Sequence, residues 1–283
     1  MTDDKFISYA KINLCLSVGR RLPDGYHEIR SLMQPIGLCD YITITKRPEG
    51  IQVWTNVDEL NEEIETNTAR RAAVLFFEYT KINSGVEIFI EKHIPYKAGL
   101  GGSSSNAACV LNALDKMYAT GLSEAEKYFL AVQIGADVPF FIGNTTAFIK
   151  GIGEQIEHVC PLPACDVLVV MPDFGVSTKM AYEAIDRCRS ASEAQVEKLH
   201  TAYLNKDIPA IRAYTSNVFE LIMGNFEIIT EIKEALLKSG ASAASLTGSG
   251  SAVFGVFLEG GIDQAYDTLK RQFDRIYRTS FVV

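Results

Sequence analysis

No apolar run in the 283 residues approaches the ~20 residues that span a bilayer, so a membrane-embedded protein is not expected. The six cysteines (Cys15, Cys39, Cys109, Cys160, Cys165 and Cys188) include no Cys-x-x-Cys pair. Buried thiols are expected rather than a disulfide framework or a metal cluster. The four histidines (His27, His93, His158 and His200) lie far apart and lack a paired-ligand spacing, so a protein-held zinc is not expected. Basic residues are outnumbered, with 27 Lys and Arg against 35 Asp and Glu and a formal net charge of −8. That balance argues against nucleic acid or an anionic membrane as partner. The first residues, Met-Thr-Asp-Asp-Lys, are acidic and polar where a secretory leader is basic and then apolar, so a cytoplasmic location is expected. Internal repeats and low-complexity tracts are also missing.

Hydrophobic residues make up 47% of the chain and charged residues 22%, which is ordinary for a globular protein of one large or two average domains. Against that background one stretch stands out: Pro95-Tyr-Lys-Ala-Gly-Leu-Gly-Gly-Ser-Ser-Ser-Asn106. Glycines allow tight turning and close backbone approach. Ser103, Ser104, Ser105 and Asn106 are helix-capping types placed where a helix would begin. Ala107, Val110, Leu111, Leu114, Met117 and Tyr118 then recur on one helical face. A glycine-rich loop feeding a helix N-terminus is a phosphate cradle in chemical terms, although many such turns bind nothing. It is not a Walker loop, because no Gly-Lys-Ser/Thr follows the glycines. Nor do Gly99, Gly101 and Gly102 fit the dinucleotide spacing. An anionic ligand in an acidic protein needs a local positive field. Lys11, Arg20 and Arg21 early in the chain, and Lys92, His93 and Lys97 beside the loop, are candidates, though such charges are usually solvated surface.

Alternation predicts strands over 41–45, 52–55 and 86–91. Periodicity predicts a helix over 67–79, with Ala69, Ala72, Ala73 and Phe76 on one side, and another over 123–134. The second opens on a Ser123/Glu126 capping box and closes on Gly135. Extended segments follow at 146–149 and 155–159. Cys160-Pro-Leu-Pro-Ala-Cys165 is the best linker candidate. Beyond it, 166–171 reads as a buried strand. Helices are predicted over 178–188, 192–204, 208–223, 226–239 and 262–273, with strands over 252–258 and near 275–282. A second glycine element, Thr247-Gly-Ser-Gly-Ser251, precedes the first of those strands. Strands and helices mix without a βα rhythm, which favours α+β.

Three further stretches hold chemistry-bearing groups. In Tyr9-Ala-Lys-Ile-Asn13, Lys11 and Asn13 occupy alternate positions of an extended segment and face the same way. Arg20-Arg-Leu-Pro-Asp-Gly-Tyr-His27 is a turn that delivers Tyr26 and His27. Gly135-Ala-Asp-Val-Pro-Phe-Phe141 sets Asp137 just past a helix end among apolar residues. Singly each has an ordinary explanation. Lys11 is more simply a surface strand lysine, Tyr26 and His27 decorate a turn, and Asp137 caps the next one.

Taken together, and in this order, these motifs resemble the GHMP kinases, and within them the members that act on a cytidyl diphosphate of methylerythritol in non-mevalonate isoprenoid synthesis. The resemblance covers nearly the whole chain. It rests on Ala10-Lys-Ile-Asn-Leu14, Asp24-Gly-Tyr-His27, Asn67 with Arg71-Ala-Ala73, the 95–108 loop and 135–141. It continues through Ser177-Thr178 with Tyr182, Asn217 with Phe219-Glu220, and Gly240-Ala241 before Thr247-Gly-Ser-Gly250. The family usually has glycine where Lys97, Ala98 and Ser103 stand. Ala98 and Ser103 would be strained if those positions needed positive φ, and Lys97 could lend charge to a phosphate or point to solvent.

The resemblance implies a two-lobe fold. An ATP-binding lobe over 1–160 would contain a left-handed βαβ unit, and a ferredoxin-like α/β sandwich lobe would cover 161–283. It implies transfer of the ATP γ-phosphoryl to the 2-hydroxyl of the methylerythritol moiety, with Asp137 accepting the proton and Lys11 orienting that carboxylate. Pro95, Tyr96, Lys97, Ala98, Gly99, Leu100, Gly101, Gly102, Ser103, Ser104 and Ser105, together with Asn67, would hold ATP. Mg²⁺ would bridge its phosphates, its protein ligand left open between Ser104, Ser105 and others. Tyr26 and Tyr182 would stack on the cytosine, His27 would bond its edge, and Asn13 would contact the reacting end. Thr247, Gly248, Ser249 and Gly250 would line the same cleft. The protein would be a monomer or weak homodimer. A homoserine- or mevalonate-type kinase, or a silent nucleotide-binding relative, are the alternatives. The Asp24-Gly-Tyr-His27 turn argues against the former, and retention of Lys11 and Asp137 against the latter.

Overall fold

The computed structural model describes residues 4–23, 25–62, 66–174, 178–186, 193–222 and 227–283. Asp24 of the turn motif, Ser177 and Cys188 lie outside the described residues. Contacts divide the chain into two compact units. One comprises Met1–Ala10, Cys39–Pro95 and Gly101–Asn144, the other Lys11–Leu38, Tyr96–Leu100 and Thr145–Val283. Two long strands contribute residues to both: β1 (Asp4–Arg21) and β2 (His27–Arg47).

The first unit continues with β3 (Ile51–Thr55), α1 (Asp58–Asn61), α2 (Thr68–Thr80), β4 (Gly85–Glu91), α3 (Gly102–Tyr118), α4 (Glu124–Ile134) and α5 (Val138–Gly143). Here β2 pairs antiparallel with β4, and β3 pairs parallel with β4. The parallel pair is joined through α2, as such a pair requires a crossover. α2 buries the expected face of Ala69, Ala72, Ala73 and Phe76. It packs on α3, whose buried Ala107, Ala108 and Ala113 allow close approach. α4 carries the expected capping box between Ser123 and Glu126. Gly135 ends it with extended backbone (φ 180°), not in the left-handed form typical of a C-terminal glycine.

The second unit holds β5 (Ala147–Lys150), β6 (Gln155–His158), β7 (Asp166–Val170), α6 (Thr178–Ile185), α7 (Val196–Leu204), α8 (Ile208–Tyr214), β8 (Ser216–Asn217) and α9 (Phe219–Ile222). α10 (Glu227–Lys238), β9 (Ala243–Leu246), β10 (Val253–Phe257), α11 (Ile262–Leu269) and β11 (Ile276–Ser280) complete it. A four-stranded antiparallel sheet runs β11-β7-β10-β9. Its core joins Leu168, Val170, Leu246, Val253 and Phe257 to Ile232 and Leu236 of α10 and Leu269 of α11. β5 pairs with Ser31–Met33 of β2 and with β6, and β8 pairs parallel with Cys15–Leu16 of β1. No helix among the described residues is long and apolar enough to cross a membrane.

Among the differences from the expected elements, two bear on the site. The single helix expected over 208–223 is α8, β8 and α9. Asn217 interrupts it: its buried amide donates to the carbonyls of Leu246 and Gly248 (2.9 Å each) and accepts from Phe219 N (3.0 Å). β9 was not anticipated, because all four of its residues are buried and no alternation marks it.

Candidate active site

β1 presents Lys11 and Asn13 on one face, as alternation requires. Lys11 is not a surface lysine; it is 2% exposed and Asn13 1%. A buried ammonium must find acceptors, and the Lys11 Nζ donates to Asn13 Oδ1 at 2.6 Å. The same oxygen accepts from Gly248 N (3.0 Å), while Asn13 Nδ2 donates to Ser31 Oγ (2.8 Å) and Asn13 N to Thr247 Oγ1 (3.1 Å). This donor and acceptor pattern fixes the amide orientation. Ser31 Oγ in turn donates to the carbonyl of Cys15 (2.7 Å). It escaped sequence reading because a serine within a strand carries no linear signal.

The Thr247–Gly250 turn is held from below. Asn217 takes the carbonyls on either side of Thr247. Glu220 accepts from Leu246 N (2.8 Å) and Ser245 Oγ (2.7 Å) and is paired with Lys233. Against this turn lies the 96–100 segment. Ala252 N donates to Ala98 O (3.2 Å), and Lys11 N to Leu100 O (3.0 Å). Gly99 has φ +78°, and a Cβ there would stand 2.2 Å from Thr247 O. Gly99 is therefore required by backbone-to-backbone packing as well as by its conformation. The strain expected at Ala98 or Ser103 falls elsewhere. Lys97 is the non-glycine residue of the loop with positive φ (57°).

In the other unit α3 starts at Gly102, with Gly101 (φ 73°) as N-cap and no side-chain cap bond. Ser103, Ser104, Ser105 and Asn106 therefore lie inside the first turns rather than before them. Ser105 and Asn106 are buried in a polar network. Ser105 Oγ meets Ser8 Oγ (2.7 Å), and Asn106 Nδ2 donates to Ser8 Oγ and Asp40 Oδ2 (2.9 Å each). Lys92 Nζ pairs with Asp40 and donates to Asn106 Oδ1 (2.9 Å). The fully buried Asp40 also accepts from His93 N (2.7 Å) and Ile94 N (2.8 Å). This corrects the expected positive cluster: Lys92 is neutralised by Asp40, and His93 Nε2 faces Glu91 Oε1 (3.0 Å). Ser103 is exposed and Ser104 half-buried. Asn67 serves as N-cap of α2, its side chain accepting from Ala69 N (2.9 Å). Asp137, half-buried, is the N-cap residue of α5 but makes no side-chain cap bond.

The 20–27 turn belongs to the unit of Lys11. Leu22 N donates to Tyr26 O (2.6 Å), Gly25 N to Leu22 O (3.0 Å) and Arg21 Nε to Gly25 O (3.4 Å). Tyr26 emerges 58% exposed, whereas His27 is 7% exposed. The His27 ring lies 5.3 Å from that of Tyr182, which Phe219 backs at 5.1 Å. His27 Nε2 is 2.8 Å from Asp186 Oδ1, and Arg21 Nη1 is 3.3 Å from Asp186 Oδ2. Asp186 was not anticipated, since its partners lie some 160 residues away (|i−j| 159 for His27).

Two family models match the chain: the GHMP kinases N terminal domain over residues 67–145 and the GHMP kinases C terminal domain over residues 204–275. A 4-diphosphocytidyl-2-C-methyl-D-erythritol kinase from Clostridium botulinum is 36% identical over 274 residues, spanning 96% of this chain and 98% of its own length. The chain belongs to the GHMP kinases. A crystal structure of a 4-(cytidine 5'-diphospho)-2C-methyl-D-erythritol kinase superposes with a TM-score of 0.86 at 31% identity, covering 99% of this chain and all (100%) of that one. A homoserine kinase from Cytophaga hutchinsonii shares the fold at 19% identity, with a TM-score of 0.77 and coverage of 100% and 96%.

As a GHMP kinase the protein is an ATP-dependent small-molecule kinase with that family's mixed α and β fold. The start of α3 suits polyphosphate. An α-helix leaves its first N–H groups without intrahelical acceptors, and here no cap side chain takes them. Desolvation pushes the buried thiols of Cys15 and Cys165 up to about 12, so both stay protonated and unreactive near neutral pH.

Proposed function

We propose that this GHMP kinase transfers the γ-phosphoryl of ATP to the 2-hydroxyl of 4-diphosphocytidyl-2-C-methyl-D-erythritol. The carrying observation is the 20–27 turn with its surroundings: an exposed Tyr26 beside a buried His27 that is ring-packed on Tyr182 and bonded to Asp186. A flat heteroaromatic base needs such rings and one edge-reading group, whereas homoserine and mevalonate offer nothing to stack.

In this reading Asp137 accepts the hydroxyl proton. The residue stands half-buried at the N-cap position of α5, directly before Val138 and Pro139. Lys11, fixed by Asn13, offsets charge that develops on the transferring group. Phosphoryl transfer, with its loose transition state, asks mainly for such positioning and neutralisation. The first turn of α3 and the 96–100 segment hold the ATP phosphates. Mg²⁺ belongs to this proposal, and when bound it neutralises phosphate charge. Ser104 is the better hydroxyl for it, since Ser105 is buried against Ser8. Asn67 is assigned to the nucleotide with its side-chain oxygen already committed to capping α2. Thr247, Gly248, Ser249 and Gly250 line the same cleft, with Thr247 and Gly248 bonded to Asn13.

A coupled ADP-release assay across the cytidyl diphosphate of methylerythritol, homoserine and mevalonate tests the proposal. Turnover of the first alone is expected; turnover confined to either of the others overturns it. Asp137→Asn should lower kcat by about 10²-fold or more with KM values within a few-fold. Near-wild-type turnover would remove Asp137 from the mechanism.

A further inference from the structure

We infer that Asp186 is a positioning residue that holds His27 in one tautomer and thereby makes the site select an amine-bearing pyrimidine over an oxo-bearing one. The inference rests on the proposed cytidyl reading. A carboxylate accepts hydrogen bonds and does not donate them. With Asp186 Oδ1 at 2.8 Å from His27 Nε2, the shared proton is that of Nε2–H. Arg21 occupies the other carboxylate oxygen, so Asp186 cannot swing away without losing a second bond. A neutral imidazole protonated at Nε2 presents a bare lone pair at Nδ1. The ring itself is buried and packed on Tyr182, so this lone pair has a fixed direction.

An Nδ1 acceptor matches the exocyclic N4 amine of cytosine. The corresponding O4 of uracil would set two acceptors against each other. Correct against mismatched pairing of this kind is worth about 10- to 100-fold in affinity. The opposite tautomer would reverse the preference, so a carboxylate at 186 carries information that His27 alone does not.

The first experiment is ¹H–¹⁵N correlation spectroscopy of histidine-labelled protein at about pH 8.5, in which the two ring nitrogens report tautomer and charge separately. The wild type should show His27 protonated at Nε2 with a pyridine-type Nδ1 shift; protonation at Nδ1 overturns the inference. The second is titration of wild type and Asp186→Asn with CMP and UMP. An asparagine can accept or donate, so the tautomer is no longer imposed. The wild type should prefer CMP by about 10- to 100-fold. The variant should lose most of that ratio while its KM for ATP is unchanged. An unchanged ratio in a folded variant overturns the inference. Should Asp186→Asn fail to fold, the wild-type spectrum and the wild-type CMP-to-UMP ratio still decide. Wild type that binds neither nucleotide overturns the cytidyl reading and the inference with it, whereas wild type that binds CMP with an Nδ1–H histidine overturns the inference alone.

Discussion

Lys97 adopts a left-handed backbone (φ 57°) with its side chain exposed, and among the described residues it makes no hydrogen bond or ion pair. That conformation costs a lysine roughly 1–2 kcal/mol. Lys97→Gly relieves it but gives back about 0.5–1 kcal/mol in unfolded-state entropy. Thermal melts should therefore show an unchanged or slightly raised Tm, while on the proposed reading KM for ATP rises several-fold because a cation is lost beside the phosphates. A Tm lowered by many degrees would show that the lysine is not strained. Gly99 behaves oppositely. In Gly99→Ala the new Cβ meets the backbone oxygen of Thr247 at 2.2 Å in addition to φ +78°, and neither atom can rotate away. A loss of about 2–4 kcal/mol is expected, read as a Tm drop of about 5–15 °C. A parallel fall in kcat/KM is expected because the Thr247 turn also holds Asn13.

At the scale of elements, the junction of α3 and α4 depends on one carboxylate. Asp115 accepts from Thr120 Oγ1 (2.7 Å) and Leu122 N (2.9 Å) and pairs with Lys127 of α4 (2.6 Å). Burial alone would push its pKa up, but Lys127, Thr120 and the Leu122 amide together bring it below the ordinary carboxylate value. A depressed native pKa means stability that is present above the unfolded value and lost as pH falls through the native one. Asp115→Asn should cost about 1–3 kcal/mol at pH 7, and denaturant melts should show the gap closing below about pH 4. A gap that persists at pH 2 would mean the charge is irrelevant. Elements of this local kind were legible in the sequence. The alanine face of α2 and the Ser123/Glu126 box are written within a few adjacent residues. The break between α8 and α9 was not, because it is imposed by bonds from Asn217 to carbonyls 29 and 31 residues away. The site divides in the same way. The common face of Lys11 and Asn13 follows from strand alternation, while Ser31, Asp40 and Asp186 have partners that only folding brings close.

At the scale of the molecule, a protein with a net charge of −8 must capture ATP and, on the proposed reading, a second polyanion. Many of the cations near the motifs are already compensated: Arg20 by Glu28, Arg21 by Asp186 and Lys92 by Asp40. The long-range field therefore opposes approach, and on the proposed reading the 95–105 cradle acts through backbone amides and few free charges. Screening relieves such a barrier, since the Debye length shrinks from about 30 Å at 0.01 M salt to about 8 Å at 0.15 M. Across that range kcat/KM for ATP should rise about two-fold or more while kcat stays flat. Potassium acetate is the suitable salt, because its anion competes weakly for a phosphate site. Lys97→Gly should steepen the rise by removing the one loop cation that favours entry. A kcat/KM that instead falls steadily from the lowest salt would mean that local positive charge outweighs the net field, and Lys97→Gly should then flatten the slope.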